Sequence, residues 1–475
     1  MNLIDHVSGE EPIQPNSIIL MIGDGMGFNQ TQLASLVEYD CNLSLAMHQL
    51  PTQSSVLTYS ADNSITDSAA AATAIATGYK TNNGMLSISP NGTELETILE
   101  KANAIGMSTG VVTTTYIQHA TPAAFMTHAL SRNDLAGISQ QIVDAPKADI
   151  ILGGGFTYFT STDLSSLESQ GYELVRNRTG LISASSTKIL GLFADSHMIY
   201  EESRNFTLTP SLKEMTNKSL EILSQNQNGF FLMIEGGRID HAGHDNNKVG
   251  VALETIAFDE AVRTAINYVS KHQNTSLIVT ADHETGGLSI ISHNLSTNVP
   301  NQAMTEEEQR QLRIDRTNNV TVSWTTDYHT STNVPLYSWC ADNPRYLNST
   351  IIDNVELFKE MESILSYNDY TTSVSTTSTV TSPSEITTSK SSIISFPSTL
   401  ESISTSTSVI TISTTVTYPI SSSSSSHLSE ISNTSPSSST SGTSTNTNQL
   451  VYVIGVSLLL LCIPILFLIS KNKEN

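Results

Sequence analysis

Three short apolar runs in this sequence end in residues that bind metal ions. Ser17–Ile22 runs into Gly23-Asp24-Gly25, and Leu277–Thr280 runs into Asp282-His283-Glu284. Phe230–Ile234 runs into Glu235, followed by Asp240, His241 and His244. Asp and His together suit zinc, while the oxygens of Asp, Glu and Thr suit magnesium. Asp24 stands between glycines, which lets the backbone pack close to an ion. Asp240 and His244 are four residues apart, so both face one way if the segment is helical. Any one of these residues alone reads as a surface acid or a helix cap. Three strand ends carrying them together do not read as core chemistry.

Ser68 is the candidate nucleophile. Thr66-Asp67-Ser68 precedes AAAATAIATG, a strong helix former closed by Gly78. A serine at that helix start meets the positive end of the dipole and free backbone N–H groups. The same position suits an N-cap Ser or Asp. Beside a metal cluster the nucleophile reading gains weight, because a bound metal lowers the pKa of a hydroxyl. Arg132, in SRND, has the planar fork that grips two phosphate oxygens, although alone it is an ordinary surface arginine.

Short β-branched runs alternate with helical stretches through the first 370 residues, the pattern of an α/β fold with a largely parallel central sheet and helices on both faces. The expected strands are Ser17–Ile22, Thr109–Thr114, Asp149–Leu152, Phe230–Ile234 and Leu277–Thr280. The expected helices include Ser68–Thr77, Glu94–Ala104 and Lys248–Lys271. In open α/β sheets ligands bind beyond the carboxyl ends of the strands. Parallel strands would therefore bring the three acid- and histidine-bearing ends to one edge.

Six motifs in order, IGDGMG, TDSAAAATA, HATPAA with the SR that follows it, IEGGRIDHAGH, TADHETGG and YHT, resemble the metal-dependent alkaline phosphatases. The resemblance covers nearly all of residues 16–340. It implies hydrolysis of phosphate monoesters through a phosphoserine on Ser68, at a site with two Zn²⁺ and one Mg²⁺. By position, Asp240, His244 and His329 would hold the first zinc. Asp24, Asp282 and His283, with the Ser68 oxygen, would hold the second. Asp24, Thr121 and Glu235 would hold the magnesium, and Arg132 the non-bridging phosphate oxygens. His119 and His241 match the animal-type pattern and would lie around the magnesium without binding it directly. His329 lies beyond a stretch, Leu288–Asp327, with no strong match, and His293 is the alternative ligand. That stretch is too short for a large crown-like domain. The family also implies a homodimer. A phosphodiesterase or sulfatase on the same framework is the nearest rival. No C-x-P-x-R or S-x-P-x-R occurs near Ser68, and Arg132 favours a doubly charged monoester. A non-enzymatic display head is the third reading, disfavoured because every ligand position is filled.

The formal net charge is −23, with only three basic and four acidic residues from position 371 onward. Phosphate backbones repel a head that acidic, so nucleic-acid binding is not expected. Three metal ions would bring six positive charges to it. The three cysteines leave Cys41 and Cys340 as the one possible pair in the head, and with no CxxC a cysteine-rich zinc site is excluded.

The expected domains are an extension over 1–15, a catalytic head over 16–370, a Ser/Thr-rich disordered stalk over 371–449, a membrane span over 450–470 and a cytoplasmic tail over 471–475. The stalk has too few large apolar side chains to repay folding entropy, and Ser/Thr with Pro reads as O-glycosylated. Extended, it would reach on the order of 200 Å. Residues 450–470 carry no charge and are followed at once by Lys471 and Lys473, which predicts a single-pass protein of the cell membrane with its head outside. About eleven Asn-x-Ser/Thr sequons, Asn177, Asn205, Asn274 and Asn348 among them, agree with an exported surface. The N-terminal MNLIDHVSGEEPIQPNS does not read as a signal peptide.

Overall fold

The computed structural model describes residues 17–341 and 344–377. The chain divides into two units, 1–385 and 386–475, and all described residues belong to the first. The N-terminal extension, the stalk beyond 377, the expected span and the tail lie outside the described residues.

Ten strands form one sheet: β1 (Ser17–Ile22), β2 (Thr52–Leu57), β3 (Ser108–Tyr116), β4 (Ile150–Gly154), β5 (Glu173–Val175), β6 (Ile189–Leu192), β7 (Phe230–Glu235), β8 (Thr275–Thr280), β13 (Val334–Trp339) and β14 (Ile351–Asp353). Their order is β14-β2-β13-β8-β1-β7-β3-β4-β6-β5, and β13 alone runs against the rest. Two small antiparallel ladders sit outside it: β9 (Glu284–Thr285) with β12 (His329–Thr330), and β10 (Ser289–His293) with β11 (Val320–Ser323).

The central strands read SIILMI, FFLMIE and TSLIVT, and every residue of β1, β7 and β8 is buried. Unbroken apolar runs of this kind mark strands covered on both faces. The helices are α1 (Phe28–Tyr39), α2 (Ser68–Thr77), α3 (Ile98–Ala104), α4 (Ala120–Met126), α5 (Leu135–Asp144), α6 (Ser161–Ser169), α7 (Arg178–Ser183), α8 (Leu212–Leu223), α9 (Arg238–His244), α10 (Lys248–Val269), α11 (Glu306–Asn318) and α12 (Val355–Thr377). One group packs around α10 and includes α1, α8, α9 and α11; another packs around α2 and includes α3, α4 and α12.

The expected strands and helices all form, with shifted ends. α3 starts at Ile98 rather than Glu94, because Thr97 and Glu100 make a reciprocal capping box there. Glu94 bridges to Ile88 instead. α10 stops at Val269, two residues before the expected end. α12 continues to Thr377, so the first seven residues assigned to the stalk are helical. The 288–327 stretch is as compact as expected, holding β10, α11 and β11. No disulfide joins Cys41 and Cys340.

Candidate active site

The parallel register places the carboxyl ends of β8, β1, β7 and β3 side by side. Asp24 follows β1, Glu235 ends β7, Asp282 and His283 follow β8, and His119 and Thr121 follow β3. Asp240 and His244 lie one turn apart on α9, so the helical condition on their spacing is met. His329 arrives by a different route. β12 pairs with β9 so that His329 faces Thr285, which carries the imidazole back to the end of β8. His293 stays exposed on β10 and joins none of the site's groups.

Among the described residues three groups bring metal-binding atoms within 4.8 Å of one another: Asp240–His244–His329, Asp24–Asp282–His283 and Asp24–His119–Glu235. Asp24 belongs to two of them. Both Asp24 oxygens, Asp282 Oδ2, Glu235 Oε1 and Thr121 Oγ1 are buried without a hydrogen-bond partner. Buried anionic oxygens left this way are costly unless a cation meets them. The electrostatics agree. Burial raises Asp24 well above the usual carboxylate range and takes Asp282 and Glu235 to about 7. Repulsion from Asp282 adds to this at Asp24, and from Asp240 at Asp282. At Asp240 burial also works against the charge, but His244, His283 and His329 hold its pKa well below the usual range. Its carboxylate in turn lifts His244 to about 9.

The histidines are oriented for ligation. Nδ1 of His244 meets the Asp327 carbonyl at 2.7 Å, and Nδ1 of His329 meets the Thr66 carbonyl at 2.9 Å. A carbonyl only accepts, so in the neutral rings the proton lies on Nδ1. The two Nε2 lone pairs then face each other at 3.1 Å. Nε2 of His283 lies 3.2 Å from Asp282 Oδ2, 3.5 Å from Asp24 Oδ1 and 3.2 Å from Ser68 Oγ. This donor set fits a zinc ion, and the oxygen-rich set around Glu235 fits magnesium.

Ser68 opens α2, but it is not the cap. Asp67 is, its Oδ1 accepting from the Ala70 N–H at 2.9 Å. The ambiguity in Thr66-Asp67-Ser68 is thereby resolved, and the serine hydroxyl faces His283. Asp67 Oδ2 also accepts from Arg132 Nη1 at 3.1 Å and from the Gly84 N–H at 3.0 Å. Burial disfavours the Arg132 charge; Asp67 more than restores it and raises the guanidinium's pKa. Nη2 of Arg132 donates to Nε2 of His119 at 3.1 Å, leaving His119 Nδ1 as a buried N–H without a partner. A ring nitrogen of His119 thus lies within 4.8 Å of ligand atoms of Asp24 and Glu235. His241 stands behind it, its ring 5.5 Å from His119 and its Nδ1 accepting from Arg238 at 2.7 Å.

Several supporting residues escaped the sequence reading. Thr285 Oγ1 donates to Asp240 Oδ1 at 2.5 Å and lies 3.2 Å from His283 Nδ1, tying two groups together. Thr113 and Thr115 both donate to Glu235 Oε2. Their alternation at the end of β3, which puts both on one face, was a visible signal. His197 packs its ring 4.4 Å from His241, and a lone loop histidine carries no such signal.

A family model described as "Alkaline phosphatase" matches residues 15–311. Alkaline phosphatase 4 of Bacillus subtilis is 38% identical over 302 residues, covering 59% of this chain and 64% of that protein, slightly under two thirds of its length. Alkaline phosphatase 3 of the same species is 31% identical over 415 residues, covering 74% of this chain and 89% of its own. The crystal structure of a cold-active alkaline phosphatase from Shewanella sp. superposes with a TM-score of 0.63 at 32% identity, covering 74% of this chain and 99% of that one. With matching sequence and fold, this chain belongs to the alkaline phosphatase family.

Proposed function

We propose that this chain hydrolyses phosphate monoesters to an alcohol and inorganic phosphate by way of a phosphoserine on Ser68. The observation that carries the reading is the convergence of three ligand groups, two of them sharing Asp24, on one strand edge with Ser68 against His283. Asp240, His244 and His329 would hold one Zn²⁺. Asp24, Asp282 and His283 with Ser68 Oγ would hold the other, and Asp24, Thr121 and Glu235 the Mg²⁺. When bound, these ions supply Lewis acidity: they lower the pKa of coordinated hydroxyl and water and neutralise charge on phosphate oxygens.

The chain's own residues then act as follows. Arg132, oriented by Asp67, grips the non-bridging oxygens. Ser68 Oγ gives its proton to solvent and attacks phosphorus; the new P–O bond forms as the ester P–O bond breaks, and the departing alkoxide takes a proton from water to become the alcohol. Water then cleaves the phosphoserine and releases phosphate. Ser68 stays available for this because Asp67 takes the cap. His119, which accepts from Arg132, lies beside the third group, with the His241 ring 5.5 Å away.

The test is p-nitrophenyl phosphate hydrolysis by the full chain from pH 6 to 10, with Zn²⁺ and Mg²⁺ or with EDTA, alongside Ser68→Ala. Metal-dependent turnover that collapses in the variant supports the reading. Faster hydrolysis of bis-p-nitrophenyl phosphate would transfer it to diesters, and silence in fully metallated protein would favour a display head.

The same proposal places the head outside a membrane, held by residues 450–470, as a homodimer. The anchor and orientation rest on the uncharged 450–470 run with Lys471 and Lys473 behind it and on exposed sequons at Asn177, Asn205 and Asn348, the homodimer on the family resemblance. Among the described residues no helix is long and apolar enough to cross a membrane. Carbonate-resistant membrane association, protease-accessible activity on intact cells and light scattering of the detergent-solubilised protein test the three parts separately.

A further inference from the structure

In an in-line displacement the attacking and leaving oxygens lie on opposite sides of phosphorus. Ser68 Oγ contacts the Asp24–Asp282–His283 group, so the leaving alcohol faces the other side, towards Asp240–His244–His329. Tyr328 flanks that group. Its side chain is 66% exposed, yet its ring centre is 5.8 Å from that of His244 and 5.5 Å from that of His329.

The ring is exposed without being loose. The Tyr328 carbonyl accepts from the Gly286 N–H at 2.8 Å, and its N–H donates to Thr326 Oγ1 at 3.1 Å. The residue before it supplies the carbonyl that holds His244, and the residue after it pairs with Thr285. Two other exposed tyrosines are engaged elsewhere: Tyr59 lies under the Lys80 ammonium, and the Tyr39 hydroxyl accepts from Arg263. An aromatic ring held at the surface offers a flat apolar face on which a planar ligand can stack. Here it stands fixed beside the two histidines on the alcohol's side.

Resting on the phosphatase reading, we propose that Tyr328 is a leaving-group subsite that favours monoesters whose alcohol carries a planar aromatic ring, such as aryl phosphates and nucleoside 5′-monophosphates. Stacking on the tyrosine ring supplies the preference, while the phosphate is held as in any other ester.

Adenosine 5′-monophosphate and ribose 5-phosphate share the same leaving oxygen and differ by the base, so their ratio isolates the subsite. With the full chain loaded with Zn²⁺ and Mg²⁺, kcat/KM should favour the nucleotide. Tyr328→Ala should lower kcat/KM for the nucleotide roughly ten-fold, the size of a lost base stack, and leave ribose 5-phosphate within about two-fold. Tyr328→Phe should keep the preference. An unchanged ratio in Tyr328→Ala, or an equal loss on both esters, overturns the subsite while leaving the phosphatase reading intact. Hydrolysis of neither ester by the unsubstituted protein overturns both.

Discussion

Asp67 Oδ2 stands 3.1 Å from Nη1 of Arg132, while Oδ1 of the same carboxylate caps α2 one residue before Ser68. One side chain therefore sets the start of the nucleophile's helix and the aim of the phosphate-binding fork. The two duties separate in Asp67→Asn. Asparagine caps about as well as aspartate, so the unfolding temperature should barely move. Arg132 loses its charged partner and its fixed direction. Removing a negative charge alone would favour phosphate, but that effect is screened at a partly exposed pair, so lost orientation should win. We expect KM and the inhibition constant for inorganic phosphate to rise together, roughly five-fold for an interaction of about 1 kcal/mol. An unchanged inhibition constant would show that Asp67 serves the helix alone.

The pair Glu100 and His128, 3.2 Å apart and away from the ligand groups, should give the head a stability component with a pH window. Burial works against the Glu100 charge, but His128, the Thr97 N–H and Lys147 depress it from 4.5 to about 2. A depressed acid contributes above its unfolded value, and that contribution is lost as pH falls towards 2. His128 is also opposed by burial, but Glu100 and the Ser87 carbonyl raise it above 6.5. A raised histidine contributes fully below 6.5 and loses that contribution as pH climbs through its folded value. The pair therefore contributes most between about 4.5 and 6.5. His128→Asn should lower the unfolding temperature more at pH 5.5 than at pH 8.5, read by calorimetry. A loss that is flat across that range would mean packing, not charge, explains it.

Ser17–Ile22 and Ser68–Thr77 were legible to the residue, because Gly23 and Gly78 punctuate one end and Asp67 and Ser68 mark the start of the other. The carboxylates after β1, β7 and β8 were legible for the same reason: each follows an unbroken apolar run. His329 was not decided by local pattern. It reaches the site through a two-residue ladder to Glu284–Thr285, too short to leave a periodic signal. β2 and β14, short and half-exposed, were missed, as was the buried β13, whose run is broken by Pro335; β2 pairs with both from some 280 residues away. Thr285 was hidden in a run that reads as a turn, since Thr-Gly-Gly signals a loop whatever its hydroxyl does.

Removing metal should loosen the head as a whole. The orphaned oxygens of Asp24, Asp282 and Glu235 are buried on the ends of the three central strands β1, β8 and β7, so their repulsion acts on the core. A ligand held at a hundred times its Kd stabilises by about 2.7 kcal/mol. In a head of this size each ion lost should therefore lower the unfolding temperature by about 3–4 °C, and EDTA, removing all three, by roughly 10 °C, with recovery when Zn²⁺ and Mg²⁺ return. Asp24→Asn, which touches two groups at once, should shrink that shift more than Glu235→Gln does. If chelation leaves the transition unmoved, the groups do not hold ions under the conditions used.

Thr285 is the cheapest place to separate the site's architecture from its ligands. Its hydroxyl donates to Asp240 Oδ1 and sits beside His283 Nδ1, so it fixes one residue from each of two ligand groups without belonging to either. Residues that orient ligands in this way typically change metal affinity ten- to a hundred-fold when lost. Thr285→Val keeps the shape and the β9–β12 ladder but removes the hydroxyl. Zn²⁺ affinity, measured by competition with a chromophoric chelator, should fall by roughly that factor, and Thr285→Ser should restore most of it. The metal-free protein should unfold close to its usual temperature, because one buried carboxylate oxygen loses a donor while His244 still meets the other at 3.3 Å. Equal Zn²⁺ affinity in Thr285→Val would mean that backbone placement alone orients Asp240 and His283.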